Sequence, residues 1–522
     1  MQLFGSSLAT PRLVNLTRLL WLVAVAWYEL GTFYHHTATC PWPDDPLKSS
    51  LSQSTSVTSP THVLLVADPQ ILDHRSYPDR PPWLMRLSQF IVDLNIRKSW
   101  RAALKRRPDR VVFLGDMMDN GRVDMSDEEY AQYVRRFRSI FAHDESLPMH
   151  YIPGNHDIGL GASSSSYRFS DHARERYLSS FGPLNQRIAL ANHTVLLIDA
   201  PTLVDEERER AAAGMSYAQW AVSRPDSTIA FVNTFAKTGA DLAESDRPIL
   251  FTHVPLSRPE GSSCGPLRER GTIRQGRGLG YQNLLTPQAS QFLLQSIRPS
   301  IVFSGDDHDY CEYVHTLPAS DTKRPSAPAS IPEITVKSFS MAMGIRRPGY
   351  QLLSLVPPST SAEAQTFAHI PCLLPDQLGI YLSVYVPLIV LTLAILLLSN
   401  IRRTCIRHSS PSGRSSEWTS LDSRDPDHPD YDLPPPSAWR SKEFPRPSWS
   451  RTCTFDLCGR RRLTISCSAL LGPLIAFFWT GGKQQDGESR RRVGVLKGFA
   501  MDVRDVAWAP LALFVAIAWW VW

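Results

Sequence analysis

The sequence lacks a strong charge bias. Its 55 lysine and arginine residues against 50 aspartate and glutamate leave a net charge of +5 over 522 residues. With no zinc-finger spacing, basic helix or interleaved basic and aromatic residues beside that weak charge, nucleic acid is not an expected partner. Cysteine is also sparse, eight in all. Cys453 and Cys458 are too isolated to form a zinc site and read as free thiols. A third thing missing is a small-residue cleavage site after the first apolar run, residues 19–33, where Glu29 and aromatic residues follow the apolar core. A removed signal peptide is therefore disfavoured, and the reading is an uncleaved signal anchor over residues 19–35.

What is there divides along the chain. Residues 1–18 form a short cytosolic N-terminus, because Arg12 and Arg18 precede the anchor and the basic side of a span stays in the cytosol. The chain that follows is thereby sent into the lumen. Residues 36–60, rich in Ser, Thr and Pro, form a tether, residues 61–357 the folded domain and residues 358–377 a linker. Residues 378–398 carry no charge and are followed by Arg402, Arg403 and Arg407, the pattern of a transmembrane helix with a cytosolic exit. Residues 399–462, rich in Pro, Ser and Arg, cannot bury a core and are expected to be disordered and cytosolic. Residues 463–480 and 506–522 are apolar, membrane-associated and short for a span. The loop between them, with Arg490, Arg491, Arg492 and Lys497, disfavours a lumenal hairpin. Asn192-His193-Thr194 is a glycosylation sequon inside the folded domain.

Within residues 61–357 one grammar repeats five times: a short apolar run stops at a metal-type donor. Val63-Leu64-Leu65-Val66-Ala67 leads to Asp68-Pro69-Gln70. Val111-Val112-Phe113-Leu114 leads to Gly115-Asp116-Met117-Met118-Asp119, and His150-Tyr151-Ile152-Pro153 to Gly154-Asn155-His156-Asp157. Ile249-Leu250-Phe251-Thr252 leads to His253, and Ile301-Val302-Phe303-Ser304 to Gly305-Asp306-Asp307-His308. Helical stretches at residues 83–106 and 126–141 alternate with these strands, so the class is a layered α/β fold. Residues 334–339 and 350–356 read as closing strands. Any one such motif is usually just a turn. Five in order, each at the end of its own strand, build a metal site from distant sequence.

These motifs, together with Thr252-His253-Val254-Pro255-Leu256, resemble the calcineurin-type metallophosphoesterase superfamily, over about residues 61–357. The resemblance implies an α-β-β-α sandwich, here flanked by N- and C-terminal transmembrane segments. It extends further to a membrane-bound branch, the lumenal phosphoesterases that remove ethanolamine phosphate from a mannose of GPI anchors. Two divalent ions need a shared carboxylate, and Asp116 is the expected bridge. Asp68 and His308 are expected to complete one metal, and Asn155, His253 and Asp306 the other. Manganese is the expected ion, with iron and zinc as alternatives. His156 is the expected general acid for the leaving alcohol, with Asp119 holding its imidazole. Two positions depart from the superfamily pattern: Gln70 stands where His is usual and is at most a weak ligand, and Asp306 also replaces a His.

Arg268 and Arg270, in the Gly- and Arg-rich loop after His253, are candidates for binding substrate phosphate, weighed against a solvated basic loop. Cys264 with Cys311 and Cys40 with Cys372 are candidate disulfides, weighed against free thiols. The expected function is a di-metal phosphodiesterase of the endoplasmic reticulum or ER–Golgi membrane, with its catalytic domain lumenal. Its expected partners are membrane lipid and GPI-anchored proteins or GPI lipid as substrate. The rivals are a phosphoprotein or phosphomonoester phosphatase and a manganese-handling membrane protein of weak catalysis.

Overall fold

The structure is a computed structural model that describes residues 11–48, 59–160, 170, 172–238, 247–317, 329–358, 365–408, 452–457, 461–466 and 495–522. The strands, in chain order, are β1 (Thr61–Val66), β2 (Arg110–Phe113), β3 (Met149–Tyr151), β4 (Gln186–Leu190), β5 (His193–Ile198) and β6 (Ile249–Thr252). Then follow the short ribbon β7 (Arg277–Gly278) and β8 (Tyr281–Gln282), β9 (Ile301–Ser304), β10 (Cys311–Leu317), β11 (Ala329–Thr335), β12 (Gly349–Leu355) and β13 (Phe367–Leu373). They build a five-stranded sheet in the order β13-β12-β1-β2-β3 and a six-stranded sheet in the order β10-β11-β9-β6-β5-β4.

Side chains alternate across a strand, so each buried strand supplies two different cores. Val63, Leu65, Val112 and Leu114 of the first sheet meet Val195, Leu197, Phe251 and Phe303 of the second, forming the layer between the sheets. The opposite faces carry Leu64, Val66, Val111 and Phe113 on one side and Leu196, Ile198, Leu250 and Val302 on the other. Helices cover both. Helix Asp127–Ile140 packs Tyr130, Val134 and Phe137 onto the first sheet, and Ser126 accepts a hydrogen bond from the Glu129 amide to start it. Helix Pro287–Ile297 packs Phe292, Leu293 and Leu294 onto the second. The architecture is the α-β-β-α sandwich. It continues past the expected end of the domain. β13 pairs with β12 throughout Gly349–Leu355, so residues 367–373 of the expected 358–377 linker are a sheet edge. Its apolar and polar residues do not alternate cleanly, and the strand is visible only through its partner.

Two helices are long and apolar enough to cross a membrane, Arg12–Ala38 and Gln377–Arg403, each of 27 residues. Both are longer than the expected 19–35 and 378–398. The C-terminal apolar segment is likewise the end of a longer helix, Val495–Val521. Residues 452–457 and 461–466 pair as a two-stranded ribbon where disorder and an apolar segment were expected. The rest of residues 409–494, including Arg490–Arg492, and the tether residues 49–58 lie outside the described residues.

The chain divides into two compact units. In the one formed by residues 1–23 and 387–512, Arg18 donates to the Asp505 carbonyl at 2.9 and 2.6 Å and Asn400 donates to Asp502 at 2.8 Å. The other holds both sheets, residues 24–386 and 513–522. In it Glu29, the residue that weakens the first apolar run, is fully buried. Its carboxylate accepts from Lys98 Nζ at 2.6 Å, the Tyr385 hydroxyl at 3.0 Å and Gln377 Nε2 at 3.2 Å. Glu29 lies in a π-helical turn, Trp27–Gly31, and Tyr385 ends another, Tyr381–Tyr385. The extra residue in each turn rotates a polar side chain toward the other helix. A disulfide between Cys40 and Cys372 ties the first helix to β13 in the same unit.

Removing one partner of a buried ion pair leaves the other charge unpaired, at about 3–5 kcal/mol. Lys98→Ala is expected to lower the melting temperature of the detergent-solubilised protein sharply. Adding Glu29→Gln to it should recover much of the loss, because no buried charge is then left over.

Candidate active site

The parallel strands β1, β2 and β3 of one sheet, and β6 and β9 of the other, end at the same rim, and the five motifs follow them there. A strand entering such a loop must turn sharply. Among the described residues nine non-glycine positions have positive φ, and five of them are Asp68, Gln70, Asp116, Asp306 and His308. Left-handed backbone at non-glycine residues is costly and persists where the surroundings impose it. Two glycines make the approach possible. A β-carbon on Gly154 would overlap the Asp116 carboxylate, and one on Gly115 would overlap the His253 ring.

Asp68, Asp116 and His253 are buried, with one ligand-type atom each lying within 4.8 Å of the others. The His253 ring is fixed by Nδ1, which donates to the Leu114 carbonyl at 2.7 Å. Nε2 faces Asn155 Oδ1 at 3.1 Å and carboxylate oxygens of Asp116 and Asp306, each at 3.4 Å, the direction from which a bound cation would meet it. Gln70 Nε2 lies on the other side, 2.8 Å from Asp116 and 3.3 Å from His308 Nε2. Asp116 thus sits between a His253–Asn155–Asp306 group and a Gln70–His308 group, and Asp68 is joined to the latter's loop by the Asp306 amide at 3.1 Å.

The charge balance fits a cation. Burial pushes the Asp68 carboxyl well above the usual carboxylate range, and Asp116 and Asp306 add to the push against His253. Burial raises Asp116 too, yet His253 and His156 outweigh it and hold that carboxyl below its ordinary value. Asp68 Oδ2 is buried without a hydrogen-bond partner. A buried carboxylate oxygen with no donor is costly unless a cation meets it. The donor set, mostly carboxylate and amide oxygens with two imidazoles, suits divalent ions.

His156 is a quarter exposed and stands at the mouth. Its Nδ1 faces the Asp119 backbone carbonyl at 2.5 Å, and the Asp119 carboxylate is farther, at 3.5 Å. Asp119 thus lies beside His156, with its backbone carbonyl and not the expected carboxylate as the atom in contact. The carboxylate itself accepts from Asn120 at 3.1 Å. Arg268 differs more from expectation. Its guanidinium grips both oxygens of Asp307 and its side chain is 5% exposed, so it braces the fifth motif instead of facing substrate. Arg270 is exposed and donates to the Gly344 carbonyl. The Cys264–Cys311 disulfide pins this loop to the start of β10.

Two residues escape a reading of the sequence. Asp157, wholly buried, accepts from the Gly154 amide at 2.9 Å and the Met118 amide at 3.2 Å, clasping the second motif to the third. Arg122 donates to the Asn155 carbonyl at 3.0 Å and to the Gly280 carbonyl at 2.7 Å, while Asn155 Nδ2 donates to that same Gly280 oxygen at 2.8 Å. The turn between β7 and β8 thereby aims the Asn155 oxygen at His253. A basic residue three positions after Asp119 was the only available signal.

Residues 62–310 match the family described as Calcineurin-like phosphoesterase. Those residues are thus a calcineurin-like phosphoesterase domain, with Asp68, Asp116 and His253 as a candidate metal site. The chain is similar to Cell division control protein 1 of Saccharomyces cerevisiae, with 34% identity over 352 residues, which cover 67% of this chain and 65% of that protein. The aligned part is thus just under two thirds of that relative. It is also similar to Metallophosphoesterase 1 of Gallus gallus, 26% identical over 378 residues, 70% of this chain and 86% of the relative. A dimetal phosphatase structure from Danio rerio overlays on 60% of this chain at 14% identity, with a TM-score of 0.32, too loose to bear on the chemistry.

Gly154→Ala, which changes no donor, should push the Asp116 carboxylate out of place and weaken divalent-metal binding about 10–100-fold, the scale of lost support around a ligand. Asp68→Asn should do at least as much. Metal content of the purified proteins by plasma mass spectrometry decides this, and unchanged content in both variants would remove the metal assignment.

Proposed function

We propose that the protein is a di-metal phosphodiesterase of a secretory-pathway membrane that removes ethanolamine phosphate from a mannose of GPI anchors. The observation that carries the hydrolytic part is the buried Asp68–Asp116–His253 cluster with its unsatisfied Asp68 oxygen. Asp68, His308 and, weakly, Gln70 would hold one ion. Asn155, His253 and Asp306 would hold the other, with Asp116 shared, and manganese suits the oxygen-rich set. When bound, such ions supply Lewis-acid chemistry at a phosphoryl group.

The chain's own residues do the rest. With Nδ1–H committed to the Asp119 carbonyl, protonated His156 presents Nε2–H outward and gives that proton to the leaving alkoxide oxygen. The mannose hydroxyl and ethanolamine phosphate are the two products. Asp157 and Arg122 hold the loops that carry His156 and Asn155. The substrate class is supported by the resemblance set out above and by the helices at both ends of the domain, which confine enzyme and substrate to one surface. Asn192 supports a lumenal domain: it is exposed at the tip of the β4–β5 hairpin, where a glycan meets no packing.

The test is release of ethanolamine phosphate from a GPI glycan by detergent-solubilised protein. Activity should vanish with chelator, return with manganese and be abolished by Asp116→Asn. His156→Ala should lower kcat by about 10²–10⁴-fold on the glycan. It should cost far less on a nitrophenyl ester, whose leaving group needs no proton. Turnover of simple phosphate monoesters alone would discard the diester substrate. A glycosidase-sensitive mobility shift lost in Asn192→Gln would place the domain in the lumen, and its absence in wild type would count against that placement.

A further inference from the structure

A cavity of about 600 Å³ lies between helix Pro82–Leu104, the segment after Ser340 and the first turns of the Gln377–Arg403 helix. Its walls include Tyr77, Arg80, Ser88, Ile345, Leu378 and Leu382. Leu378 and Leu382 are 55% and 61% exposed, so one wall is the surface of a helix long and apolar enough to cross a membrane. What such a surface meets in a bilayer is lipid.

The neighbouring surface has the same character. Helix Pro82–Leu104 leaves Trp83, Leu87 and Phe90 exposed at one-turn spacings, an apolar stripe on an otherwise amphipathic helix. Trp519, Trp520 and Trp522 are exposed in the same unit, and Trp522 stacks on Phe90 with ring centres 5.7 Å apart. Tryptophans gathered where an apolar helix leaves its domain mark the headgroup level of a membrane.

The cavity also holds a cation. Arg80 lies over the Tyr77 ring at 3.8 Å and donates to Ser88 Oγ at 2.9 Å, and it pairs with no carboxylate among the described residues. Arg346, by contrast, is matched by Asp376 at 3.3 Å. Arg80 is the charge left to be answered, and a phosphodiester carries the complementary one. One wall residue is linked to the chemistry through its chain neighbour. Ser76, next to Tyr77, is 3.5 Å from Asn120, whose amide holds the Asp119 carboxylate beside His156.

We propose that this cavity seats a diacyl phospholipid drawn from the bilayer, its phosphate on Arg80 and its first acyl carbons along Leu378 and Leu382. The seat brings the headgroup end of a lipid-linked substrate toward His156. Occupancy by phospholipid requires only the membrane setting, whereas its use in presenting substrate rests on the GPI reading above.

The full-length protein in phosphatidylcholine nanodiscs, doped with phosphatidylinositol bearing a diazirine on its acyl chain, is photolysed and the labelled peptides mapped. Label should concentrate on the peptides containing Ser88 to Val92 and Leu378 to Ser383. Arg80→Glu should reduce it about tenfold or more, the worth of a charge-assisted hydrogen bond. Leu382→Trp, which fills the cavity without touching Arg80, should reduce it as well, with melting temperature confirming the fold of both variants. Label unchanged in the variants, or spread evenly along the apolar helices, overturns the proposal. So does competition by soluble inositol phosphate, which would mean that a free phosphate and not a lipid is bound. Arg80-dependent label in a protein that releases no ethanolamine phosphate keeps the seat and removes the GPI substrate.

Discussion

Carboxylates buried at one point repel each other and lose their water, and the domain is arranged around that cost. Asp68, Asp116 and Asp306 converge where two sheets end, with His253 as the nearest imidazole. Among the described residues His253 faces all three, at 3.8, 3.4 and 3.4 Å, and one imidazole cannot balance three carboxylates. Bringing them so close requires left-handed backbone at Asp68, Asp116 and Asp306, and glycine at positions 115 and 154 where even a methyl group would collide. Such conformations need an over-determined surround. The surround is a sandwich whose strands are buried on both faces and whose loops are clasped by Asp157 and braced by the Arg268–Asp307 pair and a disulfide.

The chain meets a second buried carboxylate, Glu29, in the opposite way. There both oxygens are answered from within: Lys98 supplies the charge, and Tyr385 and Gln377 supply further donors. A satisfied carboxylate is a structural joint, and this one fixes the first apolar helix and the start of the second to the helix that roofs the first sheet. The contrast is informative because the functional group is the same. At Glu29 the protein completes the shell, and at Asp68 it leaves Oδ2 open. An unfinished shell in a buried place is what a cation-binding site looks like before its cation is counted.

The sheet core and the rim donors were legible because both are local signals: an apolar run, then a donor, five times over. The helices at Pro82–Leu104 and Asp127–Ile140 were legible for the same reason, to within two residues at each end. What stayed hidden is long-range. β13 is defined by pairing with β12, so its composition reads as linker. Arg268 looks like a phosphate ligand until Asp307, 39 residues on, is seen to occupy it. Asp119 was found as a neighbour of His156, but only the fold shows that its carbonyl is the atom in contact. Glu29 read as a flaw in an apolar helix because its partners lie 69 and more residues away.

The two departures from the superfamily pattern make physical sense together. Gln70 gives up an imidazole nitrogen for an amide, and it stands between Asp116 and His308 where that nitrogen would have been. An amide is neutral at every pH and offers a weaker, harder oxygen. Asp306 makes the complementary change, exchanging a neutral imidazole for an anionic oxygen near His253. The Asp306 exchange replaces a softer nitrogen with a harder oxygen, whereas Gln70 turns its amide Nε2 toward Asp116 and His308 and would have to rotate its amide to offer an oxygen. Asp306 raises the negative charge of the donor set by one, and a carboxylate oxygen in place of an imidazole is the donor that harder ions prefer. A single exchange would unbalance the two positions. Made together, they leave a polar side chain at both positions, Gln70 donating to Asp116 and Asp306 placing a carboxylate oxygen 3.4 Å from His253.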